Sequence, residues 1–201
     1  MEHAERRDAD SHLLDEQRRL WIDTMSHARH DWLNDLQMIV GYVQLRKYDK
    51  LAGCVEKLKQ KMAEESRTSK LEAPGLVEAL LTARARIRRF AFGYRIDDAF
   101  ALRGQGLSAA ELAVRRLLEG FEEAAEKGAQ GSDNELLCAF ECGEAEPSIV
   151  FTYRGSYSAG AMGRTIAELK KQLRLIAPAC VLEAAFDADE ATVKVRLSAA
   201  G

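Results

Sequence analysis

Apolar residues recur along the first seventy positions with the spacing of amphipathic helices. The stripe centred on Leu36 includes the apolar residues within roughly 60° of it at 100° per residue, namely Ile22, Met25, Trp32, Leu33, Ile39, Val40 and Val43. The pattern runs from 11 to 45 without a proline and predicts one long helix. A second helix, to about Arg67, is predicted by the repeat of Leu51, Val55, Leu58 and Met62.

The connection between the two predicted helices is the short polar segment 46–49, so the helices should run antiparallel. A two-helix hairpin cannot enclose a core by itself, and its apolar stripes need a further surface. A second copy of the chain would supply that surface as a four-helix bundle, which predicts a homodimer. Docking onto the second half of the same chain would satisfy the same stripes.

The pattern changes at residues 72–75, where a proline and a glycine interrupt the helical periodicity. Beyond this break, helices are predicted at 76–90, 108–127 and 164–176, and strands at 94–102, 136–141, 149–153, 181–186 and 191–197. Ser108 and Glu111 have the spacing of a capping box. The predicted fold class is α+β, with helices on one face of a sheet.

This pattern divides the chain into a polar N-terminal lead (1–10), a helical hairpin (11–71) and an α/β domain (75–201). The chain has 201 residues, 47% of them hydrophobic, which is sufficient for a core. The net charge of −3 gives no support to nucleic-acid binding or a polybasic membrane role. The absence of a long apolar run predicts a soluble, cytoplasmic protein, in which the four scattered cysteines are reduced thiols.

The strongest candidate for chemistry is His30, about 120° from the centre of the apolar stripe and therefore directed to solvent. Asn34 and Gln37 cluster on the same side, and Asp31 follows the histidine directly. An exposed imidazole in this position can meet a large partner, although most lone surface histidines are merely solvated. A metal site shared with His27 would lack a third ligand of suitable spacing.

The segment HDWLNDLQMIVGYVQLRKYDKL, with EESRTSKL at the end of the second helix, resembles the sporulation initiation phosphotransferase B family. The resemblance covers residues 20–71. Ordinary histidine kinases usually have a proline five residues after the phosphoacceptor histidine, and Asp35 stands there, as in the sporulation-type subgroup.

The resemblance also implies that the C-terminal α/β domain is a degenerate form of the histidine-kinase ATPase domain. Glu123, in LLEGFEEAAEKG, stands where such kinases have an asparagine that binds Mg²⁺. Tyr153 or Arg154 stands where such kinases have an aspartate that recognises adenine. The glycines at 155, 160 and 163 lack the spacing of a phosphate-binding lid. A carboxylate facing a triphosphate repels it, so the sequence disfavours ATP binding.

The function implied by the resemblance is a phosphorelay phosphotransferase. His30 would receive a phosphoryl group from an aspartate of one response regulator and donate it to an aspartate of another, with Asp31, Asn34 and Gln37 as supporting residues. No cofactor of its own is expected, and Mg²⁺ would come from the regulator. The alternatives are an active histidine kinase fragment that uses ATP, and a dimeric interaction module without chemistry.

Overall fold

A computed structural model describes residues 2–102, 104–128, 133–143 and 146–197, with side chains from Asp15 onward except those of 69 and 70. The chain forms two compact units, Met1–Met62 and Ala63–Gly201. The first unit is helical. The second contains three further helices and a five-stranded sheet within the described residues, so the predicted α+β class is confirmed.

Helix α1 spans Glu2–Gln44 and helix α2 spans Tyr48–Lys70. The first helix is thus already formed at Glu2, whereas the sequence suggested a polar lead over 1–10. Helix α1 ends in a tight turn in which Lys47 N–H donates to Tyr42 C=O (2.9 Å) and Arg46 N–H to Val43 C=O (3.0 Å). Arg46 takes the left-handed conformation that this helix ending requires, with φ of 54°. The turn reverses the chain and gives the predicted hairpin.

The inner face of the hairpin differs from the face that the sequence suggested. On α2 the half-buried positions of the first unit are Leu51, Cys54, Leu58 and Lys61, whereas Val55 and Met62 are exposed. The predicted stripe on α2 therefore straddles two faces of that helix. On α1 the centre of the apolar stripe, Leu36, is 50% exposed in the single chain. Helix α1 thus turns a more polar side to α2 and leaves most of its apolar stripe open.

The second unit continues with α3 (Pro74–Arg86), β1 (Ala91–Ile96), α4 (Gln105–Glu126), β2 (Glu135–Cys142), β3 (Pro147–Arg154), α5 (Ala159–Ile176), β4 (Val181–Phe186) and β5 (Glu190–Arg196). The strand order is β1-β2-β3-β5-β4. Strands β1 and β2 are parallel and joined through α4, whereas the other neighbouring strands pair antiparallel. The predicted closing hairpin of β4 and β5 is confirmed.

The core of the second unit lies between the helices and one face of the sheet. Phe121 of α4 stacks on Tyr153 of β3, with ring centroids 5.5 Å apart and planes 11° from parallel. The ring centroid of Phe151 lies 6.2 Å from the ring centroid of Phe121. The opposite face of the sheet has cross-strand ion pairs, such as Arg95 with Glu141 (3.1 Å) and Arg154 with Glu190 (3.1 Å). The predicted arrangement, with helices on one face, is therefore confirmed.

The predicted capping box at Ser108 is wrong. Helix α4 begins at Gln105, with Gly104 before it at φ of 55° and no side-chain cap, so Ser108 lies inside the first turns. Glu111 instead accepts a hydrogen bond from Arg115 (3.3 Å), which also donates to Glu78 of α3 (2.7 Å). These bonds join α3 to α4 and leave Glu111 unavailable as a cap.

None of the helices within the described residues has the length and apolar character needed to cross a membrane.

Candidate functional site

His30 lies near the middle of the described part of α1, and its side chain is exposed. Asn34 and Gln37 follow one and two turns later on the same side of the helix and are exposed as well. Among the described side chains, none forms a hydrogen bond or ion pair with His30. The ring is therefore accessible to a partner along one polar face that the three side chains share.

His27 has a different environment, although the sequence placed both histidines on the polar side. It is half-buried, and its Nδ1 lies 3.1 Å from the backbone carbonyl oxygen of Asp23. It is also one turn before Asp31, whose carboxylate is directed toward α2. Exposure therefore distinguishes the two histidines and favours His30.

The carboxylates near His30 are neutralised from across the hairpin. Lys61 of α2 donates to Asp35 Oδ2 at 2.8 Å, and its ammonium group lies 4.0 Å from Asp31 Oδ2. Asp31 and Asp35 are one helical turn apart, so one cation serves both carboxylates. The suggestion that Asp31 orients the imidazole of His30 stays a prediction.

A cation also precedes His30 directly. The Nη2 of Arg29 donates to Ser26 Oγ at 3.3 Å, and both side chains lie on α1. Arg29 is exposed, and its hydrogen-bond partner within the described side chains is this neutral hydroxyl. The site therefore has a positive charge on one flank of His30 and a neutralised pair of carboxylates on the other.

The described residues contain no group of three or more histidine, cysteine or carboxylate side chains placed to hold a metal ion.

The residues that the sequence aligned with a nucleotide site serve other contacts in the second unit. Glu123 pairs with Lys127, which lowers the pKa of that carboxyl, and Arg164 lies 4.0 Å away. Tyr153 is fully buried in the core, and its hydroxyl donates to the carbonyl oxygen of Ser156 (3.0 Å). Arg154 is exposed on the other side of the sheet. In this structure Glu123 and Tyr153 are thus engaged by other residues of the second unit.

The connection from β3 to α5 is only four residues long, 155–158. Ser158 N–H donates to the carbonyl oxygen of Ala124, at the end of α4 (2.9 Å), and the Ser158 hydroxyl caps α5. Gly155 has φ of 127°, and a Cβ there would lie 2.1 Å from Asn134 Oδ1. Gly160 and Gly163 belong to helix α5. The glycines that might have formed a phosphate-binding lid thus make a tight turn and the start of a helix.

Comparison with known proteins agrees with this geometry. A family model described as the sensor-kinase SpoOB-type alpha-helical domain matches residues 15–71. Residues 15–71 are therefore similar to SpoOB-type helical domains. The matched segment contains His30, both flanking charge groups and the whole of the turn between the helices, so the resemblance seen in the sequence is confirmed.

The chain is also similar to sporulation initiation phosphotransferase B from Bacillus subtilis (strain 168). The two are 27% identical over 130 residues, which are 64% of this chain and 66% of that protein. The match therefore spans slightly less than two thirds of the relative. A solved structure of the Acinetobacter baumannii histidine kinase AdeS overlaps 86% of this chain and 98% of its own, at 12% identity and a TM-score of 0.40. A TM-score of this size does not establish a shared fold.

Two charged residues of the candidate site, Lys61 and Arg29, were not predicted from the sequence. Lys61 occupies an inner position of α2 that follows Cys54 by seven residues, but the apolar stripe was placed one residue later, through Met62. Arg29 interrupts the apolar stripe of α1 and is directed toward Ser26. A charge at an otherwise apolar helical position was the available signal in both cases.

Proposed function

We propose that this protein is a phosphorelay phosphotransferase that uses His30 as its phosphoacceptor. The observation that supports this most strongly is the accessible His30 ring on a SpoOB-type helical domain. The similarity to a phosphotransferase of Bacillus subtilis supports the same function. A solvated histidine without a role would not explain why the acceptor pattern and the exposed face occur at the same residue.

In the proposed reaction, a neutral ring nitrogen of His30 attacks the phosphorus of a phosphoaspartate on a response regulator. An N–P bond forms, the P–O bond to the aspartate breaks, and its electron pair returns to the carboxylate. The other ring nitrogen keeps its proton during the attack. The reverse step on a second regulator delivers the phosphoryl group onward. Positioning and charge neutralisation supply most of the catalysis in such transfers, with Mg²⁺ held by the regulator.

Asn34 and Gln37 are proposed to contact the docked regulator because both are exposed on the face of His30. Asp31 is proposed to orient the imidazole of His30 or to tune its proton affinity, and its carboxylate also lies 4.0 Å from the ammonium group of Lys61. These side chains supply position and charge rather than a nucleophile.

The active unit is proposed to be a homodimer. The large apolar residues of the α1 stripe, among them Ile22, Met25, Leu33, Leu36 and Val40, are exposed in the single chain. Exposed apolar surface of this extent on one helix is typical of an interface. Two hairpins joined through these stripes form a four-helix bundle with a copy of His30 on each outer side.

Autophosphorylation from ATP is the competing enzyme function, and the second unit argues against it. Glu123 pairs with Lys127, and Tyr153 is buried in the core. The segment 155–158 packs against the end of α4. A non-catalytic interaction module is the other alternative, and it predicts no phosphohistidine at all.

The experiment that tests the proposed function is transfer between purified proteins. A receiver domain phosphorylated on aspartate with ³²P is mixed with the full-length chain, and a second receiver is added after the first is removed. The proposal predicts an acid-labile label on this chain that then passes to the second receiver. Absence of label on the chain with every receiver of the same genome would contradict it.

A further inference from the structure

Arg29 is an exception within the apolar stripe of α1. At 100° per residue it lies about 40° from Leu33, about 60° from Trp32 and about 20° from Leu36. Among residues 21–43, whose side chains are all described, it is the one charged residue within about 60° of the stripe centre. A cation at this position has a cost in any apolar interface, so its presence calls for a reason.

The side chain of Arg29 is directed out of the stripe toward Ser26, on the side of the helix where His30 lies. Ser26 accepts the hydrogen bond from the guanidinium group. Around the helix axis, at 100° per residue, Ser26 lies about 60° from Arg29 and about 40° from His30, and therefore between them. Helical side chains lean toward the N-terminus, so the His30 ring covers the turn that contains Ser26. The guanidinium and the imidazole therefore share the same turn of the helix surface.

We propose that Arg29 binds the phosphoryl group while it is transferred to and from His30, with Ser26 holding the guanidinium ready. This inference rests on the proposed function and adds a catalytic residue to it. As the N–P bond forms and the P–O bond of the phosphoaspartate breaks, negative charge is spread over the three phosphoryl oxygens. The guanidinium donates hydrogen bonds to two of these oxygens.

The charges around the site favour this role for Arg29 over Lys61. The ammonium group of Lys61 is engaged by Asp35 at 2.8 Å and lies 4.0 Å from Asp31. The hydrogen-bond partner of Arg29 among the described side chains is a hydroxyl at 3.3 Å, which an anion can replace at little cost. A guanidinium also presents a planar pair of donors that matches a phosphoryl group, whereas an ammonium group is a point charge.

The competing explanation is structural. A single polar residue within an apolar helix interface can fix the register of a bundle. Replacement by methionine separates the two roles, because methionine has a similar length and suits an apolar interface. A register role predicts that Arg29→Met alters the oligomeric state. The catalytic role predicts an intact dimer that transfers slowly.

The experiment compares full-length wild type, Arg29→Met, Arg29→Lys and Ser26→Ala. Arg18→Gln is the matched control, because Arg18 is also exposed on α1 and donates to a residue three positions earlier, Asp15. Two donors are used: a phosphorylated receiver domain, and phosphoramidate, which requires no docking and releases ammonia as His30 is phosphorylated. Light scattering gives the oligomeric state of each variant.

We expect Arg29→Met to slow transfer by about 10- to 100-fold from both donors, with an unchanged mass. Arg29→Lys should recover part of the rate, Ser26→Ala should lose less than Arg29→Met, and Arg18→Gln should match the wild type. The wild-type rate should also fall more steeply with added salt than that of Arg29→Met.

Wild-type rates in Arg29→Met would overturn the assignment, and so would a loss of transfer that accompanies a change of mass. Slower transfer from the receiver with an unchanged rate from phosphoramidate would assign Arg29 to docking and overturn the phosphoryl contact. If the wild type takes no phosphate from any receiver, the proposed function itself fails, and this inference fails with it.

Discussion

The ammonium group of Lys61 lies 2.8 Å from the carboxylate of Asp35 and joins the two helices of the hairpin. Their side chains are only 25% and 21% exposed. Asp35 follows His30 by five residues, so this contact fixes α2 against α1 about one and a half turns from the proposed phosphoacceptor. The inner face of the hairpin is thus held by an ion pair at the position where a helix pair usually has apolar side chains.

The Asp35–Lys61 pair should contribute measurably to stability because it is partly shielded from water. Lys61→Ala and Asp35→Ala should each lower the free energy of unfolding by about 1–2 kcal/mol, and the double variant by less than their sum. The measurement is urea denaturation at one fixed protein concentration.

The control for this pair is Lys59–Glu56 on α2, at 2.9 Å and largely exposed. Lys59→Ala should change the free energy of unfolding by less than about 0.5 kcal/mol. Equal losses from Lys59→Ala and Lys61→Ala would show that the Asp35–Lys61 pair has no special role in the hairpin.

Leu36 and Met38 are nearly equally exposed, at 50% and 49%. The proposed dimer nevertheless predicts that a glutamate at each of these positions has a different effect on dimerisation. Leu36→Glu places a carboxylate in the interface at a cost of about 3 kcal/mol for each unpaired buried charge, and the dimer has two. It should therefore be monomeric at micromolar concentration. Met38 points about 160° away from Leu36, so Met38→Glu should remain dimeric.

Light scattering coupled to size exclusion distinguishes these outcomes. A monomeric wild type, or a dimer that Leu36→Glu leaves intact, would show that the stripe of α1 is not the interface.

Much of the fold follows from local patterns in the sequence. The two long helices, the break at 72–75 and the final hairpin of β4 and β5 each have a continuous periodicity, and the structure has each of them. The ends of elements are less predictable because they depend on distant contacts. Glu111, for example, has the spacing of a capping residue, but the proximity of α3 directs it to Arg115.

The position of His30 in the candidate site could be predicted from the sequence, whereas the contacts of the residues around it could not. His30 is identified by its position outside the apolar stripe, which depends only on helix geometry. The half-burial of His27 and the pairing of Asp31 depend on how α2 packs, and a helical projection of α1 alone does not contain that information. The direction of the Arg29 side chain likewise depends on a rotamer rather than on sequence spacing.

The second unit is predicted not to bind ATP. Even Glu123→Asn, which restores the amide that kinases use, should not bind, because Tyr153 is part of the core and Ser158 is joined to the end of α4. Calorimetric titration with Mg·ATP should give no binding for either protein. Micromolar affinity in the wild type would favour the autokinase alternative.

The cysteines of the second unit should differ in reactivity. Burial raises the pKa of the Cys138 thiol well above its ordinary value, whereas Cys142 is exposed. Because the thiolate is the reactive form, Cys142 should react rapidly with a disulfide reagent at pH 8, and Cys138 only after unfolding. Cys142→Ser should remove the fast phase. A fast phase of the same amplitude in this variant would contradict the burial pattern of strand β2, since the half-buried Cys54 and Cys180 should react more slowly than Cys142.

The most direct test of the central claim is the location of the phosphoryl group after incubation with a phosphorylated receiver domain. His30→Gln should take up no acid-labile phosphate and keep its free energy of unfolding within about 0.5 kcal/mol of the wild type, because the side chain is exposed. His27→Gln is the matched control and should retain most of the transfer. Mass spectrometry of the wild type under neutral conditions should place the phosphate on His30. Acid-labile phosphate in His30→Gln, at the level of the wild type, would contradict the assignment.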